Sequence, residues 1–132
     1  TAREKGFKTY IINPVDYGIN FYADTLFTTE KMIKENSDLV KRFVKATLEG
    51  WEYAYSHPDE AVDYTLMYSD QLTREHETAM IQASLDLLKP DDKPIGTIER
   101  SVLEEMHDLL INNGILKNPL DLDKLYKTQF LE

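Results

Sequence analysis

The stretch "DYGINFYADTLFTTE", Asp16 to Glu30, crowds Tyr17, Phe21, Tyr22 and Phe27 together, with Gly18, Asn20 and Asp24 set between them. Its residue types favour extended backbone. In a regular strand successive side chains point to opposite faces, so Phe21 and Tyr22 cannot serve one core, while Asn20, Tyr22 and Asp24 share a face. That face presents an aromatic ring flanked by two hydrogen-bonding groups, the mixture a small heteroaromatic or polar ligand needs. Gly18 permits unusual backbone angles and close approach by another group. Two readings stay open from the pattern: a ligand wall, or an interface with another chain. Just upstream, "FKTYII" (Phe7–Ile12) is also rich in strand formers. Asn13-Pro14 breaks it, and Asp16 to Gly18 supplies a turn. A short N-terminal β segment is the expectation over residues 1–28.

Beyond it the chain reads as helix. Thr29 to Glu35 forms a short one. Ser37 is a candidate N-cap with Asp38 suited to the dipole. Leu39, Val40, Phe43, Val44, Leu48, Trp51 and Tyr55 then recur at helical spacing. Pro58 suits the first turn of a helix running to about Tyr68. Thr73 caps another, with Met80, Ala83, Leu87 and Leu88 on one face. "KPDDKPIGT" is a loop. Ile98 to Asn112 is the next helix, stopped by Asn113-Gly114, and the tail holds a last short one. The fold class is α/β and mostly helical: a β segment, then about five helices over residues 29–132. Two strands alone leave an edge that needs a partner, so the chain reads as one fragment of something larger.

A length of 132 residues allows one modest core, and the net charge of −9 argues against nucleic acid and anionic membrane surfaces. No apolar run is long enough to span a bilayer. The absence of cysteine removes disulfides, thiolate metal sites and cysteine nucleophiles together. The chain opens on Thr1 rather than Met, which points to a mature product or an internal cut.

Catalytic patterns are thin. Glu104 and His107 give Glu-x-x-His on one helical face, yet a di-metal site of that kind needs a second such pair and further carboxylates. Phosphate loops and nucleophile elbows are missing. The sequence therefore calls for no enzyme, no metal and no cofactor. "GWEYAYSHP" (Gly50–Pro58) offers a ligand cage on the sharp reading. On the plainer one Trp51 and Tyr55 belong to the apolar stripe and pack in the core.

The run Tyr17 to Thr29, with "FVKATLEGWEYA" (Phe43–Ala54) and "HPDEA" (His57–Ala61), closely resembles bacterial solute-binding proteins related to fungal thiamine-pyrimidine synthase. Asn113-Gly114-Ile115 and "DLDKLYKTQFL" are similar to the family's C-terminal end. The resemblance implies part of a two-lobed periplasmic-binding-protein (type II) fold, with residues 1–28 crossing the hinge. It implies extracytoplasmic binding of a pyrimidine-like or other small polar ligand by lobe closure. The partner would be an ABC permease, or a covalently linked signalling domain such as a histidine kinase. By position Tyr17, Asn20, Tyr22 and Asp24 would line the cleft edge. The fungal synthases use a Cys-rich motif that this chain lacks. The alternative is an interaction module without a ligand, forming a homodimer through its N-terminal strands.

Overall fold

The computed structural model describes residues 2–3, 5–22, 24–89 and 93–131. Within them lie a 3₁₀ turn (Pro14–Tyr17) and six helices: α1 (Glu30–Glu35), α2 (Ser37–Ser56), α3 (Pro58–Leu66), α4 (Arg74–Leu88), α5 (Arg100–Asn112) and α6 (Leu122–Leu125). The chain divides into two compact units, one of Thr1–Glu35 with Ile98–Phe130, the other of Asn36–Thr97 with Leu131.

In the second unit the helix boundaries follow local chemistry. Asn36, not Ser37, occupies the N-cap of α2, one residue earlier than its sequence suggests. His57 alone separates α2 from α3, closing the first helix with its N–H on the Tyr53 carbonyl at 2.8 Å. Its ring stacks on Tyr53 with centroids 4.3 Å apart. Pro58 then opens α3, where its missing N–H removes nothing. This helix stops at Leu66, short of the expected Tyr68. Thr73 caps α4 through its hydroxyl, which accepts from the His76 N–H at 3.3 Å. At the far end of α4, Lys89 pairs with Glu52 at 2.7 Å and lies 4.6 Å over the Tyr55 ring, fastening that end to α2. Pro90, Asp91 and Asp92 of the expected loop lie outside the described residues.

α3 packs against both α2 and α4. Its Val62 is buried, 2% exposed. The stripe on α2 is not enclosed in the same way: Trp51 stays 45% exposed, and Phe43 is also exposed, as are Met80 and Leu87 on α4. The core-packing expectation for Trp51 is therefore corrected. A helical stripe becomes core only where a second element faces it, and spacing alone does not provide that element.

In the first unit α5 begins at Arg100, two residues after the expected Ile98, and packs against α6. It ends as the Asn113-Gly114 pair dictates. Gly114 takes φ +69°, and the Ile115 and Leu116 N–H groups both donate to the Leu110 carbonyl, at 2.9 and 3.1 Å. Arg100 bonds Glu104 at 2.8 Å and reaches Asp123 of α6. Phe130 is buried.

The N-terminal β segment is a second correction, for the described residues hold no strand. Phe7–Asn13 and the described part of residues 19–28 are irregular. The reason is physical: a strand exists only through hydrogen bonds to a neighbour, which β-favouring residue types do not supply by themselves. Val62 and Phe130 are the buried apolar side chains among the described residues. The accessible surface is 10832 Å². Two compact bodies of half this mass each would together expose roughly 8,700 Å². Phe7, Tyr10, Ile11, Ile12, Phe27 and Leu87 are among the apolar side chains left exposed.

Candidate ligand-binding segment

The candidate segment begins with a tightly made turn. The Asn13 side-chain oxygen accepts from the Val15 N–H at 3.3 Å, and Pro14 holds the first position with its preset φ. Gly18 closes the turn at φ +75° and donates to Val15, while Ile19 donates to Pro14, both at 3.0 Å. A left-handed residue is needed there, and glycine supplies it without steric cost. The turn leaves Tyr17 72% exposed.

Tyr22 is placed differently. Its hydroxyl oxygen accepts the Glu99 backbone N–H at 2.8 Å, and its own N–H points at the Met106 sulfur, 3.5 Å away. Glu99 is the N-cap residue of α5, and its side chain makes no capping bond. In a capping box the N-cap N–H is taken by a Glu or Gln at the third helical position. That position holds Val102 here, and Tyr22 fills the role from elsewhere in the chain. Glu99 and Met106 lie roughly 10 Å apart along the helix. Tyr22 thus straps the segment lengthwise to α5.

The four residues singled out in the sequence are not gathered into one hollow. Tyr17, Asn20 and Asp24 are exposed and Tyr22 is half-buried. Ala23 lies outside the described residues. An open hollow of about 250 Å³ lies instead beside α6, lined by Asp123, Tyr126, Lys127, Thr128 and Gln129. Sequence reasoning missed Glu99 and Met106 as the anchors of the segment. The absence of Glu or Gln at the third position of α5 was the available clue.

Electrostatics favour fixed pairs over reactive groups. Hydrogen bonding to the Glu60 carboxylate at 2.8 Å is the main cause that raises the Tyr53 hydroxyl above its ordinary range. Asp123, with Glu104, holds Arg100 above its already high one. Glu104 and His107, the candidate metal pair, take separate partners: Arg100 for the first, Asp108 and the Leu120 N–H for the second. The described residues contain no cluster of three metal-ligating side chains, nor a helix long and apolar enough to cross a membrane. What the segment offers chemically is an exposed aromatic face at Tyr17 with the polar groups of Asn20 and Asp24 nearby in sequence.

Residues 1–61 match the family described as NMT1/THI5 like. Over that stretch the chain is similar to that family. A formylaminopyrimidine-binding protein of Halalkalibacterium halodurans is 27% identical over 123 residues, covering 89% of this chain and 37% of that protein. The riboflavin-binding protein RibY of Chloroflexus aurantiacus is 22% identical over 135 residues, covering 98% of this chain and 38% of that protein. The chain thus spans little more than a third of the length of these relatives. No solved structure matches it.

Proposed function

We propose that this chain is part of an extracytoplasmic, two-lobed domain that binds a small molecule and performs no catalysis of its own. The observation that carries the reading is the family match over residues 1–61, which contains the whole candidate segment. The two relatives are named for formylaminopyrimidine and riboflavin. Both compounds present a flat nitrogen heteroaromatic ring, so the ligand class is a pyrimidine-like or related heterocycle. Tyr17 supplies the stacking face, Asn20 and Asp24 the polar contacts, and Tyr22 holds the segment in place. Residues 1–28 cross the hinge of the complete domain. Ligand shifts the domain toward closure by binding the closed form more tightly. The closed form then engages an ABC permease or a covalently linked signalling domain.

Calorimetry and thermal shift with an aminopyrimidine, formylaminopyrimidine, riboflavin and an alkanesulfonate test this reading. Saturable heat with one heterocycle, abolished by Tyr17→Ala, is the expected result. No heat and no melting shift across the panel would refute it. The exposure of Phe7, Tyr10, Ile11 and Ile12 favours a second reading, an interaction module that pairs with another copy of itself. In that case light scattering returns a dimer, and Tyr10→Ser returns it to monomer.

A further inference from the structure

We propose that Asn113-Gly114 is a site of spontaneous backbone modification, gated by the cap that ends α5. The reaction needs an asparagine side chain, the backbone N–H that follows it, and water. The Gly114 nitrogen gives its proton to solvent base and bonds to the Asn113 Cγ. The Cγ–Nδ2 bond breaks, and Nδ2 takes up a proton and leaves as ammonia. Water then opens the five-membered imide at either carbonyl. One opening gives aspartate, and the other gives isoaspartate, with the main chain rerouted through Cγ. The net change is one water consumed and one ammonia released.

Among the asparagines this one is singled out by its neighbour. Pro14 and Pro119 follow Asn13 and Asn118 and have no N–H to react. Phe21, Ser37 and Asn113 follow Asn20, Asn36 and Asn112, each with a side chain that crowds the attacking nitrogen. Gly114 has no such side chain, and both residues of the pair are exposed. Beyond its chain neighbours, no atom lies within 4 Å of where a Gly114 Cβ would stand. Water and base therefore reach the pair.

The folded cap holds both reacting groups back. The Gly114 N–H donates to the Ile111 carbonyl at 2.9 Å, and Asn113 Nδ2 donates to the Leu109 carbonyl at 2.8 Å. Asn113 sits at φ −93° and ψ 5°, which turns its own nitrogen, not its Cβ, toward the Gly114 nitrogen. Ring closure needs the Cβ there. The cap must open before the bond forms, so the rate follows the fraction of time it is open. Isoaspartate, once formed, prevents the cap from closing again. It lengthens the main chain by one methylene beside the Ile115 and Leu116 N–H groups, which meet at the Leu110 carbonyl. Its carboxylate also stands at the negative end of α5, whose last turn carries no basic residue. The tie between α5 and the segment leading to α6 is loosened for good.

Peptide mapping by mass spectrometry tests this on the full chain, held in mildly alkaline buffer with and without denaturing urea. Ammonia loss is expected at Asn113 ahead of Asn20, Asn36 and Asn112, with isoaspartate confirmed by an isoaspartyl methyltransferase. Two cap bonds to break should set the folded rate about 10- to 100-fold below the rate in urea. Amide exchange at Ile115 and Leu116 should quicken about 3- to 10-fold in the modified chain. Asn113→Gln, whose longer side chain closes the ring far more slowly, should hold both amides at their starting rates through the same incubation. Earlier reaction at another asparagine overturns the proposal. So does an Asn113 rate that folding leaves unchanged, or a modified chain that keeps its Ile115 and Leu116 protection.

Discussion

Replacing Tyr22 with Phe removes one oxygen atom and leaves the ring. In the structure that oxygen accepts the Glu99 N–H at 2.8 Å, at the N-cap of a helix whose third position is Val102. Phe keeps the packing along α5 but leaves the N–H without this acceptor. A net hydrogen bond is worth about 0.5–1.5 kcal/mol, and a donor left half-buried belongs to the upper part of that range. For a chain of this size the loss corresponds to a melting point lower by roughly 3–6 °C. The loss should be local as well. Amide exchange at Glu99 and the first turn of α5 should quicken, while α3 and α4 keep their rates. Tyr22→Ala should cost more, because the ring's packing goes with the hydroxyl. The opposing view makes Tyr22 a ligand contact with no duty in the apo chain. If Tyr22→Phe melts within ~1 °C of the parent, below the range above, with Glu99 exchange unchanged, the strap is refuted.

Four further outcomes follow from named residues. Tyr53 ionises above the usual tyrosine range because its hydroxyl donates to Glu60. The stability this bond gives is complete below the ordinary tyrosine range and is lost as pH rises through the raised value. Glu60→Gln should bring the Tyr53 titration, followed by ring-carbon NMR, back toward the ordinary tyrosine range. Gly18→Ala meets no neighbouring atom and should cost only the left-handed strain, about 1–2 kcal/mol by urea denaturation. Gly96→Ala carries similar strain, and its Cβ, placed 2.9 Å from Leu48 Cδ2, asks only the movable end of that side chain to shift, so it should cost little more. Trp51→Ala should cost about 1–2 kcal/mol, not the ~3–5 of an enclosed aromatic, since nearly half its surface is already wet.

The helices were legible in the sequence because their determinants are local. Pro58 sits in the first turn of α3, Thr73 caps α4, and Gly114 ends α5, each by chemistry contained within a few residues. That the described residues of the N-terminal segment form no strand was not legible in the same way. Phe7–Ile12 has the composition, but pairing is a property of two segments. Core membership failed for the same reason at Trp51: periodicity describes one face of a helix and leaves its neighbour unspecified. The candidate site was readable as a place and not as a set of roles. Asn13, Pro14 and Gly18 announce the turn. The duty of Tyr22 depends on a partner 77 positions away.

The uncovered run at Phe7, Tyr10, Ile11 and Ile12 has a colloidal consequence. Lys8, whose ammonium stands 5.4 Å from the Tyr10 ring centroid, is the lone charge within it. Exposed, β-favouring and nearly uncharged, such a run is a template for edge-to-edge stacking between molecules. What holds molecules apart is the net charge of −9. That repulsion vanishes near the isoelectric point of about 4.8. Mild acid should therefore turn a dispersed solution turbid, with salt at neutral pH doing the same more gradually by screening. Replacing Ile11 with Lys should keep it clear under both conditions.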